Sequence, residues 1–327
     1  MSESPTGGAD VDRGSLVLGE VLGRGGQGEV YRVEGGSHAG LVYKEYMRAD
    51  ADPSALDRLV AMPVHRFTET ERARLYALSS WPLARVVADG AVTGFLMREI
   101  PERFVGRVRG GRTQLRELQY LIFEPKPMWG EITPPDVQGR LEIVRRYTSL
   151  FQLLHARGLV VGDVSMSNLL WTADGGIDVF MLDCDGVRES GRSPVLPQAQ
   201  TPDWNDPELP PTGADLETDR YKLALLVGRV LSRHKNVRPG EPLELLPGLP
   251  SAVADAVTRR FAWAAAGYGC RPDAHQWGVA LGGRAEIPVD RPVPPRPVDL
   301  PRAGIGGRSG PRRWRSVSET DRGSGSA

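Results

Sequence analysis

Apolar residues between Ser15 and about Ile100 fall in short runs: Leu16 to Leu22, Glu29 to Val33, Leu41 to Tyr46, Val86 to Asp89 and Thr93 to Arg98. They are rich in β-branched and apolar residues and are punctuated by Gly pairs or Asp-Gly turns, the pattern of short strands. One helical stretch, about Thr68 to Leu78, separates the third run from the fourth. After Pro101 the period lengthens. Pro134 and Pro135 open an amphipathic helix in which Val137, Leu141, Val144, Tyr147, Phe151 and Leu154 recur at helical spacing, and Gly158 closes it. Further helices are predicted over Asp219 to Leu231, Ser251 to Ala265 and Ala274 to Leu281. A loop-rich stretch dense in Asp, Gly and Pro, Val160 to Pro211, lies between the first two of these helices.

This patterning predicts an α+β molecule of two lobes, a small β-rich one over 15–100 and a larger helical one over 101–285. Residues 1–14 are polar and are expected to form a flexible leader. Residues 286–327 are rich in Pro, Arg, Gly and Ser, with too few apolar side chains to order themselves, and are expected to be a disordered tail. No internal repeat is visible.

Composition changes the picture little. With 40% hydrophobic and 25% charged residues and a formal net charge of zero, the chain is an ordinary globular sequence that names no nucleic-acid partner. Cys184 and Cys270 stand far apart with no CxxC pair, so a reducing compartment is expected and neither a disulfide framework nor a zinc site. The N-terminus lacks an apolar signal core, and no stretch approaches the roughly eighteen apolar residues of a membrane span. A cytoplasmic location without membrane contact is the expectation.

The chemistry lies in three places. Gly23-Arg24-Gly25-Gly26-Gln27-Gly28-Glu29-Val30 spells G-x-G-x-x-G-x-V, whose glycines let backbone approach phosphates. Here it leads into a second strand and a turn rather than a helix, so the context is a hairpin and not a dinucleotide-binding fold; a plain Gly-rich hairpin is the alternative. Lys44 sits on the next strand, sharing a face with Val42 by alternation. Either it holds an anion or it protects an edge strand from aggregation. A lysine beside phosphates needs an anion to hold it, and the helix over Thr68 to Leu78 offers Glu71, flanking the buried Leu75 and Leu78 stripe, with Glu69 as the fallback. Either could equally be a surface charge. Lastly, Asp163 follows an apolar strand, Asn168 stands five positions on, and Asp183 ends the following hairpin. Three such oxygen-bearing groups suit Mg²⁺, which takes one or two carboxylates plus substrate phosphates. Singly, each would be a turn former.

Over about 15–285 these residues resemble the protein-kinase family, in a bacterial eukaryotic-like subgroup. Gly23, Gly25, Gly28 and Val30 resemble its nucleotide loop, Val42-Tyr43-Lys44 its V-A-I-K strand, and Glu71 the helix partner of that lysine. Asp163 through Asn168 resembles the catalytic loop, Asp183-Cys184-Asp185 the D-F-G motif and Asp206-Pro207-Glu208 the A-P-E motif. Asp219 resembles the residue that brace the catalytic loop, and Arg271 the one that pairs with the A-P-E glutamate, here Glu208. The resemblance implies ATP with Mg²⁺ (or Mn²⁺) as cofactors, Lys44 on the α and β phosphates, and Asn168 and Asp183 on the metal. It also implies Asp163 as acceptor of the substrate hydroxyl proton, and adenine sandwiched by Val30, Val42 and a hinge at Met97 to Ile100. The activity implied is transfer of a γ-phosphate to Ser or Thr of a protein substrate.

The departures matter. Gly162 replaces an Arg that would read an activation-segment phosphate, so switching through Ser190, Ser193 or Thr201 is not expected. Ser165 stands where a Lys is usual, Cys184 replaces Phe, and Asp185 replaces Gly, adding a third carboxylate beside the metal. These departures keep a nucleotide-binding scaffold with little turnover open as an alternative. A small-molecule phosphotransferase is disfavoured by Glu208 and Arg271. In the tail, Ser316 and Ser318 follow Arg312, Arg313 and Arg315, as a docking or autophosphorylation segment or simply a solvated linker. The stretch Pro101 to Thr133, with Phe104, Tyr120, Phe123 and Trp129, either shapes a substrate groove or covers the helical lobe.

Overall fold

The short apolar runs of the first hundred residues pair into one six-stranded sheet. A computed structural model of the chain describes residues 10–47, 50–197 and 201–283. In chain order come β1 (Val11–Asp12), β2 (Val17–Arg24), β3 (Gly28–Gly35), β4 (Leu41–Tyr46), α1 (Pro53–Arg66), α2 (Glu69–Leu78), β5 (Ala84–Ala88) and β6 (Ala91–Arg98). The sheet order is β1-β5-β6-β4-β3-β2, antiparallel except where β1 lies parallel to β5. Pairing therefore begins at Val11, inside the stretch expected to be a leader. That side chain is buried with Leu16, Val33, Tyr43, Val86 and Leu96 on one face of the sheet. Residues 1–9 and the expected tail, 286–327, lie outside the described residues.

Register decides what the other face carries. Val30 pairs with Lys44, Lys44 with Phe95, and Val42 with Met97. Directly paired residues share a face, so Val30, Val42, Lys44, Phe95 and Met97 form one surface. Phe95 and Met97 join the large core of the helical half. Gly94 permits the close strand approach, since a Cβ there would lie 1.9 Å from the Lys44 carbonyl oxygen.

Two helices, not one, separate β4 from β5. Asp52 accepts from the amides of Ser54 and Ala55 and Pro53 follows it, which starts α1 as a capped helix. Leu56, Leu59, Val60 and Met62 bury its apolar face, and the indole of Trp81 donates to the Leu59 carbonyl at 3.0 Å. Pro63 inside the helix breaks the sequence pattern without ending the helix. Thr68 then caps α2.

The second half adds β7 (Val105–Arg107), β8 (Thr113–Leu115), α3 (Gln119–Ile122), α4 (Val137–His155), β9 (Leu159–Val160), β10 (Leu169–Thr172), β11 (Asp178–Met181), β12 (Arg188–Glu189), α5 (Leu216–Ser232), α6 (Ser251–Trp263) and α7 (Ala274–Leu281). The stripe read for α4 is buried from Leu141 to Leu154, while α5 is buried almost all round and forms the axis of this half. Each large apolar side chain moved from water into such a core contributes about 1.5–3 kcal/mol. The aromatic residues of the stretch after Pro101 pack inward: Phe104 against Phe180 at 5.6 Å and Tyr120 edge-on to Trp129 at 4.9 Å. They cover the helical lobe, while β7 and β8 form a separate hairpin above it. No helix among the described residues is long and apolar enough to cross a membrane.

Candidate active site

The glycines between β2 and β3 serve two purposes. A Cβ at Gly23, Gly25 or Gly26 would meet nothing within 4 Å, so the hairpin tip has open space beside its backbone. Gly28 is different: a Cβ there would sit 2.2 Å from the Glu45 carbonyl oxygen, so only glycine lets β3 run this close to β4. Val30 follows at once and pairs with Lys44.

Lys44 is 5% exposed, and its ammonium lies 2.9 and 3.0 Å from the two oxygens of Asp185 and 3.3 Å from Asp183 Oδ1. Burial alone would pull its pKa down, but the two carboxylates outweigh it and hold the ammonium above the ordinary lysine range. The phenol of Tyr46, on the same face of β4, donates to Asp185 Oδ2 at 3.2 Å. Burial and then the Asp185 charge push that phenol up as well. Asp183 itself is half exposed and sits in the left-handed region at φ 52°, at the entry to a tight turn over Cys184–Gly186. That conformation is uncommon outside glycine and asparagine-like residues and directs the chain sharply into the turn.

The loop after β9 is held from below. Asp219 of α5, fully buried, accepts from the amides of Val161 at 2.6 Å and Gly162 at 2.8 Å and faces His155 Nε2 at 3.1 Å. Lys222, one turn on, donates to the Gly162 carbonyl at 2.7 Å. Gly162 has φ 77°, a conformation that favours glycine. Asp163 is thereby presented with both oxygens engaged: Thr201 Oγ1 donates to Oδ1 at 3.0 Å and Asn168 Nδ2 to Oδ2 at 3.1 Å. Burial raises the Asp163 pKa, against the lowering effect of Lys222 and of these two donors. The backbone of Asn168 in turn accepts from Leu182, next to Asp183.

This two-lobed arrangement matches a solved structure, the kinase domain of PknI from Mycobacterium tuberculosis. The TM-score is 0.50 at 20% identity, over 83% of this chain and 96% of that one. The chain has the protein-kinase fold. Its resemblance to bacterial eukaryotic-like protein kinases holds in sequence too. Protein kinase YegI of Escherichia coli K12 is 27% identical over 238 residues, 69% of this chain, and the O157:H7 protein of the same name is 26% identical over 239 residues. The chain spans about a third of the length of these curated relatives. No family model matches it.

Within the kinase fold, Lys44, Asp163, Asn168 and Asp183 line up between the lobes, linked through Asp185 and the Asn168 backbone. Glu71 does not join them. Its carboxylate closes the capping box of α2, accepting from the Thr68 amide and hydroxyl, and pairs with Arg157. The Thr68 backbone bond and Arg157 hold its pKa down to about 2. Glu69, the fallback, is exposed in the first turn of α2. Both therefore serve the helix rather than the lysine. The roles that the sequence did not assign are Asp185 as the closest anion to Lys44 and Thr201 as a donor to Asp163, whereas Lys222 lies in the Asp219-Arg-Tyr-Lys-Leu-Ala stretch that resembles the brace of the catalytic loop. Asp185 carried a signal as the second acid of Asp-Cys-Asp, and it had been placed beside the metal. Arg271, 4% exposed, meets the Asp206 carboxylate with both terminal nitrogens and Glu208 at 2.8 Å. The first acid of Asp206-Pro207-Glu208 is thus its buried partner and Glu208 a second, half-exposed one.

Proposed function

We propose that this chain is an ATP- and Mg²⁺-dependent protein kinase that transfers the γ-phosphate to Ser or Thr hydroxyls of a protein substrate. The observation that carries this reading is the Asp163 carboxylate, held by Asn168 and an aliphatic hydroxyl, Thr201, in the cleft that also contains Lys44 and Asp183. A hydroxyl 3.0 Å from a carboxylate is the geometry in which a general base accepts a proton.

The residues fit the absent nucleotide and metal. The open space beside Gly23, Gly25 and Gly26 suits phosphates approached by backbone amides, and Val30, Val42 and Met97 share a face on which an adenine would lie. Asp183, half exposed, and Asn168 are oxygen donors of the kind Mg²⁺ takes. Among the described residues no three His, Cys, Asp or Glu side chains form a cage of their own, as suits an ion that shares its ligands with phosphates. Bound Mg²⁺ would neutralise charge on the transferring group. The chain's own part is positioning. Lys44 would orient the α and β phosphates, Asp183 and Asn168 would fix the ion, and Asp163 would orient the acceptor hydroxyl and take its proton. Glu71 has no place in this scheme.

A second reading, a nucleotide-binding scaffold with little turnover, is favoured by Ser165, a neutral hydroxyl 3.0 Å from that of Ser167 where a lysine would contribute charge. The buried Cys184 and the exposed Cys270 are both unpaired, which supports a reducing compartment such as the cytoplasm. The two readings part on the product. Incubation with γ-labelled ATP, Mg²⁺ and a generic protein, followed by phosphoamino-acid analysis, is expected to give labelled serine and threonine. Nucleotide binding with no labelled protein would favour the scaffold, and label on tyrosine alone would overturn the acceptor assignment.

A further inference from the structure

Lys44 is deeply buried, and a buried ammonium needs a compensating anion. Neither helix of the small lobe supplies one. The one acid of α1, Asp57, is exposed and 3.6 Å from Arg85; the inward positions of α1 are Ala55, Leu56, Leu59, Val60, Met62 and Pro63, all apolar. In α2, Glu71 is committed to Thr68 and Arg157. The anion instead comes from the turn after Asp183. Asp185 is 2% exposed, offers both oxygens to Lys44, and is fixed further by Tyr46.

We propose that Asp185 is the positioning residue for Lys44, doing from the metal-side turn what a helix carboxylate would otherwise do. The inference rests on the nucleotide-binding reading of Lys44. Asp185 is two residues from Asp183, on a turn whose Cys184 is buried and faces the Met181 carbonyl and Ser80. Lys44 and Asp183 are thus set relative to one another by three consecutive residues. α1 borders the segment that follows, Ala55, Leu59 and Met62 lying beside Val187, but the acids that meet Lys44 are Asp183 and Asp185, which makes the turn itself the element on which phosphate binding depends. Tyr46 extends the coupling to β6: its ring packs on Phe95 at 5.8 Å, so Lys44, Tyr46, Phe95 and Asp185 form one continuous contact between sheet and turn.

The test is a double-mutant cycle read as the preference for MgATP over adenosine, measured by calorimetric titration of the full chain, Lys44→Met, Asp185→Asn and the double variant. Thermal melting of each reports folding. Asp185→Asn keeps shape and removes charge, and is expected to lower the preference about tenfold while leaving adenosine affinity within about twofold. Added to Lys44→Met it is expected to cost less than a further twofold or so, because both substitutions remove the same interaction. A merely structural role would lower adenosine binding and melting temperature together. An unchanged preference in Asp185→Asn, fully additive losses, or tighter MgATP binding, which would make Asp185 a competitor of the phosphates, each overturns the inference and leaves the nucleotide reading standing. A wild-type chain without preference for MgATP, or one that Lys44→Met does not alter, removes the nucleotide reading and the inference with it.

Discussion

Glu71 shows how a residue can satisfy a family pattern and still do something else. Thr68-Glu69-Thr70-Glu71 is an S/T-x-x-E capping box, a local signature with its own physical purpose. The side chain goes to its own helix end because those donors are three residues away and orphaned. Lys44, Asp163, Asn168 and Asp183 were picked out by their order along strands and loops and by their resemblance to the protein-kinase motifs. Asp185 was legible only as one more acid, since nothing in the sequence says that the buried positions of α1 are all apolar and leave Lys44 to the turn. Glu71→Gln is expected to leave phosphoryl transfer within about twofold of the parent, there being no Glu71 contact to lose at the site. Its effect is on stability and depends on pH. The carboxyl falls from an ordinary value of 4.5 to about 2 on folding. The stabilisation is therefore present above about 4.5 and lost as pH falls toward about 2. The difference in melting temperature between parent and Glu71→Gln should shrink on acidification across that window, and a difference independent of pH would contradict the assignment.

Among the elements, the strands of the small lobe and the helices after Pro134 follow from period and punctuation, while β7, β8 and α3 lie where no element was predicted, and within the first hundred residues the structure differs in two places. Val11–Asp12 is too short to show a period, and its pairing with β5 depends on a long-range partner. α1 carries Leu56, Leu59 and Val60 at helical spacing, but Pro63 and the nearby Pro53 mimic a loop. Proline at the first turn costs nothing, and Pro63 is buried against the core. Because α1 lacks a carboxylate for Lys44, its contribution is packing. Leu59→Ala is expected to destabilise the chain by about 2–5 kcal/mol in chemical denaturation. At temperatures where the variant stays folded, its MgATP affinity should match the parent's. A selective loss of MgATP affinity in a fully folded Leu59→Ala chain would place α1 in the nucleotide site after all.

The described residues join a sheet face to a helical core along a seam. Lys44 and Phe95 face the turn of Asp183 and Asp185, while α5 braces the loop of Asp163 through Asp219 and Lys222. A change of period after Pro101 was legible, and the seam was not, because it depends on which strand face turns toward the helices. The chain corresponds to about a third of the length of the YegI proteins it resembles. The proposed role of this seam is phosphate transfer, and it is tested by following label from γ-labelled ATP to a generic protein and to the chain itself, by the parent, Asp163→Ala and Asp183→Ala. Transfer by the parent is expected, falling at least about a hundredfold in both variants, the loss typical of removing a general base or a charge-stabilising group. Equal transfer by parent and variants, or none by a folded parent that still binds MgATP, would contradict it.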